Sequence, residues 1–179
     1  MPSSAMPSVP YVSQVGNTPA NDCGPACVLM LARWIDPATT ETVAGLARAM
    51  PAPRRIDPTD DGTTAGDLAE AVRGLGLTPT RGAAAEYPYI ALVTYNKLPR
   101  QNRYVEDINI PHWIVRLGDG WYHDPYWPGE RGAGLTASKS VLDAAERGVA
   151  YRVSIVEVPE MAVDEGKARE PYGRVVHVI

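Results

Sequence analysis

The sequence has no phenylalanine, three lysines and two cysteines among its 179 residues. Two cysteines four positions apart, Cys23 and Cys27, do not form the disulfide framework that stabilises small secreted domains. The sequence also has no Lys/Arg block, and 21 acidic against 17 basic residues give a net charge of −4. This charge balance argues against a general nucleic-acid-binding protein. Without phenylalanine, nine tyrosines and four tryptophans must supply the aromatic packing.

Long hydrophobic runs are missing as well. No apolar stretch approaches the roughly 18 residues that a membrane-spanning helix needs. Residues 1–8 have neither a basic start nor an apolar core, so they do not resemble a secretory signal. We therefore expect a protein that is synthesised in the cytoplasm with reduced thiols, which leaves later release or association with a particle open.

The order of the predicted elements favours an α+β fold, in which N-terminal helices pack on an antiparallel sheet. Apolar and charged fractions of 45% and 21% are those of an ordinary globular domain. We expect one domain over 1–158 and a polar tail over 159–179, whose last apolar stretch could add a strand to the sheet of a partner. The pattern predicts helices near 24–35, 41–50, 64–74 and 138–147, and strands near 90–95, 113–117, 121–124 and 150–158. Thr39 or Thr40 is expected to cap the second helix, and Thr64-Ala65-Gly66-Asp67 resembles a capping box that starts the third.

Cys23 lies where an irregular segment meets the apolar stretch 26–34. Gly24 and Pro25 favour a helix start at this point, because proline is tolerated in the first turn. The positive end of the helix dipole favours the thiolate form of a cysteine and hence its nucleophilicity. Cys23 is therefore the candidate nucleophile, and the alternative is that it serves as a small core residue.

His112 and Asp124 are expected to meet across a β-hairpin. His112 opens the strand 113–117, and Asp124 closes the strand 121–124. If the chain folds back about Gly118 with a three-residue turn, the two side chains lie on the same face of the sheet, whereas a two-residue turn would separate them. Taken singly, His112 could be a hydrogen-bonded strand residue and Asp124 could start a turn.

Four segments, in chain order, then become recognisable together: Val9-Pro10-Tyr11-Val12-Ser13-Gln14, Asp22-Cys23-Gly24-Pro25-Ala26-Cys27, Pro111-His112-Trp113-Ile114-Val115-Arg116-Leu117-Gly118 and Tyr122-His123-Asp124-Pro125-Tyr126. Together they resemble the bacteriocin-processing, double-glycine peptidase family, and more closely its stand-alone peptidase-like relatives within the papain-like cysteine peptidases. The block around Cys23 is the more specific signal, and the combination makes the resemblance. Classical members of that family are fused to a membrane transporter, whereas this sequence contains neither spans nor a P-loop.

The resemblance implies a role for each of four residues. Cys23 would be the nucleophile, His112 the general base and then acid, and Asp124 the carboxylate that orients the imidazole. Gln14 would donate a side-chain hydrogen bond to the oxyanion hole, with the backbone N–H of Cys23 as the second donor. A solvated loop glutamine is the alternative for Gln14.

Other arrangements of the same residue types are weaker. His123 has the opposite parity from Asp124 and is expected on the other face of the sheet, which favours His112 as the partner of Asp124. Cys27 lies at helical spacing from apolar residues and is predicted to belong to the core. A zinc site built from Cys23, Cys27, His112 and His123 is disfavoured, because Cys-x3-Cys on a helix that starts with proline does not match the usual ligand spacing.

The function implied by the resemblance is a bacterial or phage thiol peptidase that needs no metal and no organic cofactor. Its partner would be a substrate, either a polypeptide such as a leader ending in a small-residue pair or the peptide of bacterial cell wall, and the loops 51–62 and 96–111 are expected to shape the groove. A catalytically retired module that serves in docking, or acyl transfer on the same thiol, remain the other interpretations.

Overall fold

The computed structural model describes residues 6–14, 22–50, 63–82, 86–99 and 111–155. The helices in these segments are α1 (Cys23–Ile35), α2 (Val43–Ala49), α3 (Ala65–Gly74) and α4 (Lys139–Ala145), and a short 3₁₀ helix covers Tyr95–Lys97. The strands are β1 (Thr78–Arg81), β2 (Tyr89–Thr94), β3 (Pro111–Arg116), β4 (Trp121–His123), β5 (Leu135–Thr136) and β6 (Glu146–Ser154).

Side-chain caps define the starts of two of the shorter helices. Thr64 and Asp67 form the predicted capping box at the start of α3, in which each side chain binds the backbone N–H of the other residue. The predicted cap of α2 at Thr39 or Thr40 is wrong. Thr42 caps this helix, because its hydroxyl accepts a hydrogen bond from the backbone N–H of Gly45 at 3.0 Å.

The six strands form one sheet in the order β1-β6-β2-β3-β4-β5, and all neighbouring strands are antiparallel. The α+β prediction is confirmed. Strands β1 and β5 were not predicted, since they are short and lie at the two edges, where little hydrophobic alternation marks them. Strand β6 begins at Glu146, directly after α4, where the pattern predicts continued helix up to 147.

The sheet separates two hydrophobic clusters. Helices α1, α2 and α3 cover one face, and α1 contributes a nearly continuous run of buried residues to that cluster. Residues of α4 join the cluster on the other face. The alternation along β3 fits this division, because Trp113 and Val115 belong to the first cluster and Ile114 to the second.

Several predictions lie wholly or partly outside the described residues. The loop 51–62, most of the loop 96–111 and the tail 159–179 fall there, so the domain boundary at 158 stays a prediction. No helix within the described segments combines the length and hydrophobicity that crossing a bilayer requires.

Candidate active site

Cys23 is the first residue of α1, one position earlier than the sequence pattern predicts. The first α-helical hydrogen bond of this turn runs from the Ala26 N–H to the Asp22 carbonyl at 3.0 Å, and Pro25 has no N–H to leave unpaired. The side chain is 7% exposed, so the thiol sits in a confined position at the positive end of the helix.

His112 and Asp124 meet as predicted. His112 Nε2 lies 2.7 Å from Asp124 Oδ1, and both side chains are buried. The hairpin has a three-residue turn, since the Leu117 N–H donates to the Trp121 carbonyl at 2.9 Å. The predicted centre at Gly118 is wrong by one residue, because the register pairs Val115 with His123 and so centres the turn on Asp119. The odd-length turn keeps His112 and Asp124 on one face and makes their contact diagonal.

The imidazole of His112 interacts with two negative groups at once. Burial lowers its pKa, but the Asp124 carboxylate and the Cys23 thiolate, by charge and by hydrogen bonding, outweigh burial and raise the pKa to about 10. His112 is therefore positively charged at neutral pH whenever Cys23 is a thiolate. The three side chains form a buried Cys–His–Asp arrangement in which the imidazole is the shared member.

The Asp124 carboxylate is held by the loop that follows β4. Its Oδ1 atom also accepts a hydrogen bond from the Tyr126 N–H at 3.0 Å. Its backbone N–H donates to the Gly132 carbonyl at 2.8 Å, and its backbone carbonyl accepts from the Tyr11 hydroxyl at 2.8 Å. The carboxylate that faces His112 is thus fixed through both its side chain and its backbone.

Gln14 belongs to an extended arm, residues 9–14, that forms no strand but lies along the same loop. Its side chain is 7% exposed, and its backbone N–H donates to the Pro125 carbonyl at 2.8 Å. Earlier on the arm, the Tyr11 hydroxyl and Ser13 Oγ both donate to the Trp127 carbonyl, at 2.6 and 2.7 Å. The arm therefore ties the candidate oxyanion residue to the loop that carries Asp124.

His123 and Cys27 stay outside this arrangement, as predicted. His123 accepts a hydrogen bond at Nδ1 from the Gly134 N–H and donates from Nε2 to the Val9 carbonyl, both at 2.9 Å. Burial lowers its pKa, so it is neutral. Cys27, in the second turn of α1, is fully buried in the core, and burial raises the pKa of its thiol. Within the described segments, no three His, Cys, Asp or Glu side chains are arranged to hold a metal ion.

Tyr95 and Gly132 are two residues of the site that sequence reasoning missed. The Tyr95 ring lies 4.6 Å from the His112 ring, centroid to centroid. A Cβ on Gly132 would lie 1.9 Å from the Asp124 carbonyl oxygen and 2.4 Å from the Tyr11 hydroxyl. No sequence signal marks either residue, because both contacts depend on how distant segments pair.

No family model matches the sequence, and no curated protein matches it. Solved structures do match its fold. One is a double-glycine motif protease from an AMS/PCAT transporter, crystallised with the leader peptide, with a TM-score of 0.56, 16% identity and coverage of 84% of this chain and 94% of that one. Another is the peptidase domain of Streptococcus ComA, a bifunctional ABC transporter of a quorum-sensing pathway, with a TM-score of 0.56, 21% identity and coverage of 79% and 95%. The chain therefore has the papain-like fold of double-glycine peptidase domains, as predicted.

Proposed function

We propose that this protein is a cysteine peptidase with Cys23 as nucleophile, His112 as general base and acid, and Asp124 as the orienting carboxylate. The observation that carries the proposal is the position of the His112 imidazole, which interacts with Cys23 and lies 2.7 Å from Asp124 Oδ1. The fold supports it, because both structures compared above are peptidase domains by name. A buried Cys–His–Asp set at a helix N-terminus is suited to nucleophilic attack on an amide carbonyl.

The reaction follows from these positions. His112 holds the proton of the Cys23 thiol, and the thiolate attacks the carbonyl carbon of the scissile amide to form a tetrahedral intermediate. As this intermediate collapses, the C–N bond breaks, and the imidazolium gives its proton to the leaving amine. Water then attacks the thioester with His112 as base, which releases the carboxylic acid and restores the thiol. Asp124 holds the imidazole in one tautomer throughout, since its carboxylate accepts the hydrogen bond from Nε2.

The oxyanion of the tetrahedral intermediate needs donors on the far side of the carbonyl. The backbone N–H of Cys23 is one candidate, because N–H groups in the first turn of a helix are not used by the helix itself. The side-chain amide of Gln14 is the second candidate. Its support is the arm, which joins Gln14 to the Asp124 loop through the Pro125 carbonyl. This mechanism employs side chains and backbone of the chain alone.

The substrate class that we propose is a polypeptide. One structure of the same fold was solved with a leader peptide bound, which supports a peptide segment as the substrate that reaches Cys23. The peptide of bacterial cell wall contains the same amide chemistry, so it belongs in the same substrate screen.

Alkylation with iodoacetamide between pH 4 and 9 tests the catalytic pair directly. We compare the wild type with Cys23→Ala and His112→Ala, and Cys27→Ala serves as the matched control for the second thiol. The proposal predicts one fast-reacting thiol well below pH 8.5, lost in Cys23→Ala, lost at low pH in His112→Ala and retained in Cys27→Ala. If both cysteines react as ordinary thiols, the site is not a peptidase site, and a docking role replaces it. Cleavage of leader-like peptides and of cell-wall peptides then separates the two substrate classes.

A further inference from the structure

Tyr95 is placed against both His112 and Asp124. It is the first residue after β2, the strand that pairs with β3 so that Val93 lies opposite His112. Its ring packs 4.6 Å from the His112 ring at an angle of 53°, and the side chain is 4% exposed. Neither the proposed mechanism nor the motifs in the sequence give this tyrosine a role.

The two carboxylate oxygens of Asp124 differ in their hydrogen bonds. Oδ1 accepts from both His112 Nε2 and the Tyr126 N–H. Oδ2 is buried and makes no hydrogen bond of standard geometry with any described residue, and the same holds for the Tyr95 hydroxyl. A buried carboxylate oxygen and a buried hydroxyl without partners are uncommon, because leaving either group unpaired is unfavourable.

The two groups are neighbours, since Asp124 influences the Tyr95 pKa both by its charge and by a hydrogen-bond interaction that falls outside standard geometry. Burial, followed by the charge of Asp124, raises the pKa of the Tyr95 hydroxyl, so this hydroxyl keeps its proton at neutral pH. Tyr126 and Tyr122 are the other titratable groups that influence it. A permanently protonated hydroxyl next to a carboxylate is a donor, and hydrogen bonds at catalytic sites are often long in the free enzyme and shorten when substrate binds.

We propose that Tyr95 is a positioning residue, whose hydroxyl donates to Asp124 Oδ2 and whose ring packs against the imidazole of His112. This inference rests on the proposed function of the Cys23–His112 pair. The hydroxyl fixes the rotation of the carboxylate, so that Oδ1 stays directed at Nε2. It also disperses the negative charge of Asp124, which limits how strongly the carboxylate holds the imidazolium proton that must pass to the leaving amine.

The dependence on Asp124 separates this role from simple packing. Asp124 and Cys23 are the charged groups that face His112, and both raise its pKa. Removing the Tyr95 hydroxyl while keeping the ring concentrates charge on Asp124, so the His112 pKa should rise further. Loss of packing alone would remove part of the burial that lowers the imidazole pKa, so the pKa would rise without any involvement of Asp124. A rise in the His112 pKa that disappears when Asp124 is neutral, combined with slower proton donation, is therefore the signature of the hydroxyl.

The experiment compares Tyr95→Phe, which keeps the ring, with Tyr95→Leu, which removes it. Tyr89→Phe is the matched control, since Tyr89 is a buried tyrosine at the start of β2 whose hydroxyl binds Glu146, away from the site. Imidazole nitrogens labelled with ¹⁵N report the titration of His112 by NMR, assigned with His112→Ala. Iodoacetamide rates report the Cys23 thiolate, and cleavage of a leader-like peptide gives kcat and KM.

We expect Tyr95→Phe to move the His112 titration upward by about half a pH unit or more and to lower kcat about tenfold with KM unchanged. Tyr95→Leu should lower kcat further, and Tyr89→Phe should match the wild type. In an Asp124→Asn background, Tyr95→Phe should no longer shift the titration, because its effect passes through the carboxylate. An unshifted His112 titration in Tyr95→Phe, or a shift of equal size in the Asp124→Asn background, overturns the proposal. If the wild type itself lacks a low-pH thiolate, the proposed function fails instead, and the two failures are distinguishable.

Discussion

The indole N–H of Trp113 donates to the backbone carbonyl of Thr63 at 2.8 Å, and this bond connects the strand of His112 to the residue just before the cap of α3. The Thr63 side chain occupies the space next to the Gly24 Cα, the residue after Cys23. A Cβ on Gly24 would lie 2.5 Å from the Thr63 Cβ and Oγ1 atoms. Thr63 therefore contacts both Trp113 and the first turn of α1, which links the strand of His112 to the helix of Cys23.

Gly24→Ala is expected to disturb this contact. The added methyl group overlaps a buried threonine that cannot move without breaking the bond to Trp113, so the free energy of unfolding should fall by about 1–3 kcal/mol. The fast alkylation of Cys23 should fall as well, because the helix start must shift. Urea unfolding and iodoacetamide rates measure the two effects.

Gly66→Ala is the matched control for that substitution. Gly66 lies in the first turn of α3, and the nearest atom to its added Cβ is Thr64 Oγ1 at 3.8 Å. Alanine there should leave the stability unchanged or raise it by up to about 1 kcal/mol. Equal behaviour of the two variants would show that Thr63 does not constrain α1.

Asp124→Asn tests the orienting carboxylate. The charge of Asp124 is the largest of the influences that raise the His112 pKa, so the amide should shift the imidazole titration downward from about 10. Peptide cleavage should fall by roughly 10²- to 10⁴-fold, since the imidazole loses both its fixed tautomer and the charge that stabilises imidazolium. The ¹⁵N titration of His112 and kcat measure these effects.

Asp36→Asn is the control for removing one carboxylate. Asp36 follows α1 at its far end and accepts a hydrogen bond from the Ala38 N–H at the surface. The Asp36→Asn substitution should leave both the His112 titration and the peptide cleavage rate unchanged. A normal cleavage rate in Asp124→Asn would exclude Asp124 from the mechanism.

Tyr11→Phe tests the link between the arm and the Asp124 loop. The single hydroxyl proton is shared by the Asp124 and Trp127 carbonyls, so its loss should lower the free energy of unfolding by about 1–2 kcal/mol. It should also reduce cleavage, because the Gln14 and Asp124 segments lose their common anchor. Tyr87→Phe removes one exposed bond to Asp119 and is expected to change neither quantity. If the two variants have the same unfolding midpoint and cleavage rate, the arm is not anchored through Tyr11.

How far the sequence predicts this site depends on how local each contact is. The positions of Cys23, His112 and Asp124 follow from a helix start and one hairpin, both of which are short-range patterns. The contact of Tyr95 with His112 requires the pairing of β2 with β3, whose partners are separated by a long loop, and no periodicity encodes that pairing. Edge strands β1 and β5 were missed for a different reason, because they are short and little hydrophobic alternation marks them.

Gly132 is a second residue whose importance depends on contacts between distant segments. A side chain at this position would collide with the Asp124 carbonyl and the Tyr11 hydroxyl, which approach it from two other segments. Glycine in a loop is ordinary, so the sequence around 132 gives no sign of this crowding. From the sequence, the role proposed for Gln14 could be predicted only through the family resemblance, since a loop glutamine has no pattern of its own.

His123→Gln is expected to change how stability depends on pH. Burial lowers the His123 pKa, and the Val9 carbonyl and the Glu130 charge only partly offset this. A histidine whose folded pKa lies below its unfolded value of about 6.5 contributes stability above that pH, and the contribution is lost as pH falls through the folded pKa. The wild type should therefore lose more stability than His123→Gln between pH 7 and pH 5, because glutamine does not titrate.

Urea unfolding of both proteins at several pH values isolates the histidine, since the carboxylates are common to the two chains. Parallel curves would mean that His123 is not held neutral between Val9 and Gly134. A steeper loss in the wild type would show that the folded protein holds His123 neutral between Val9 and Gly134.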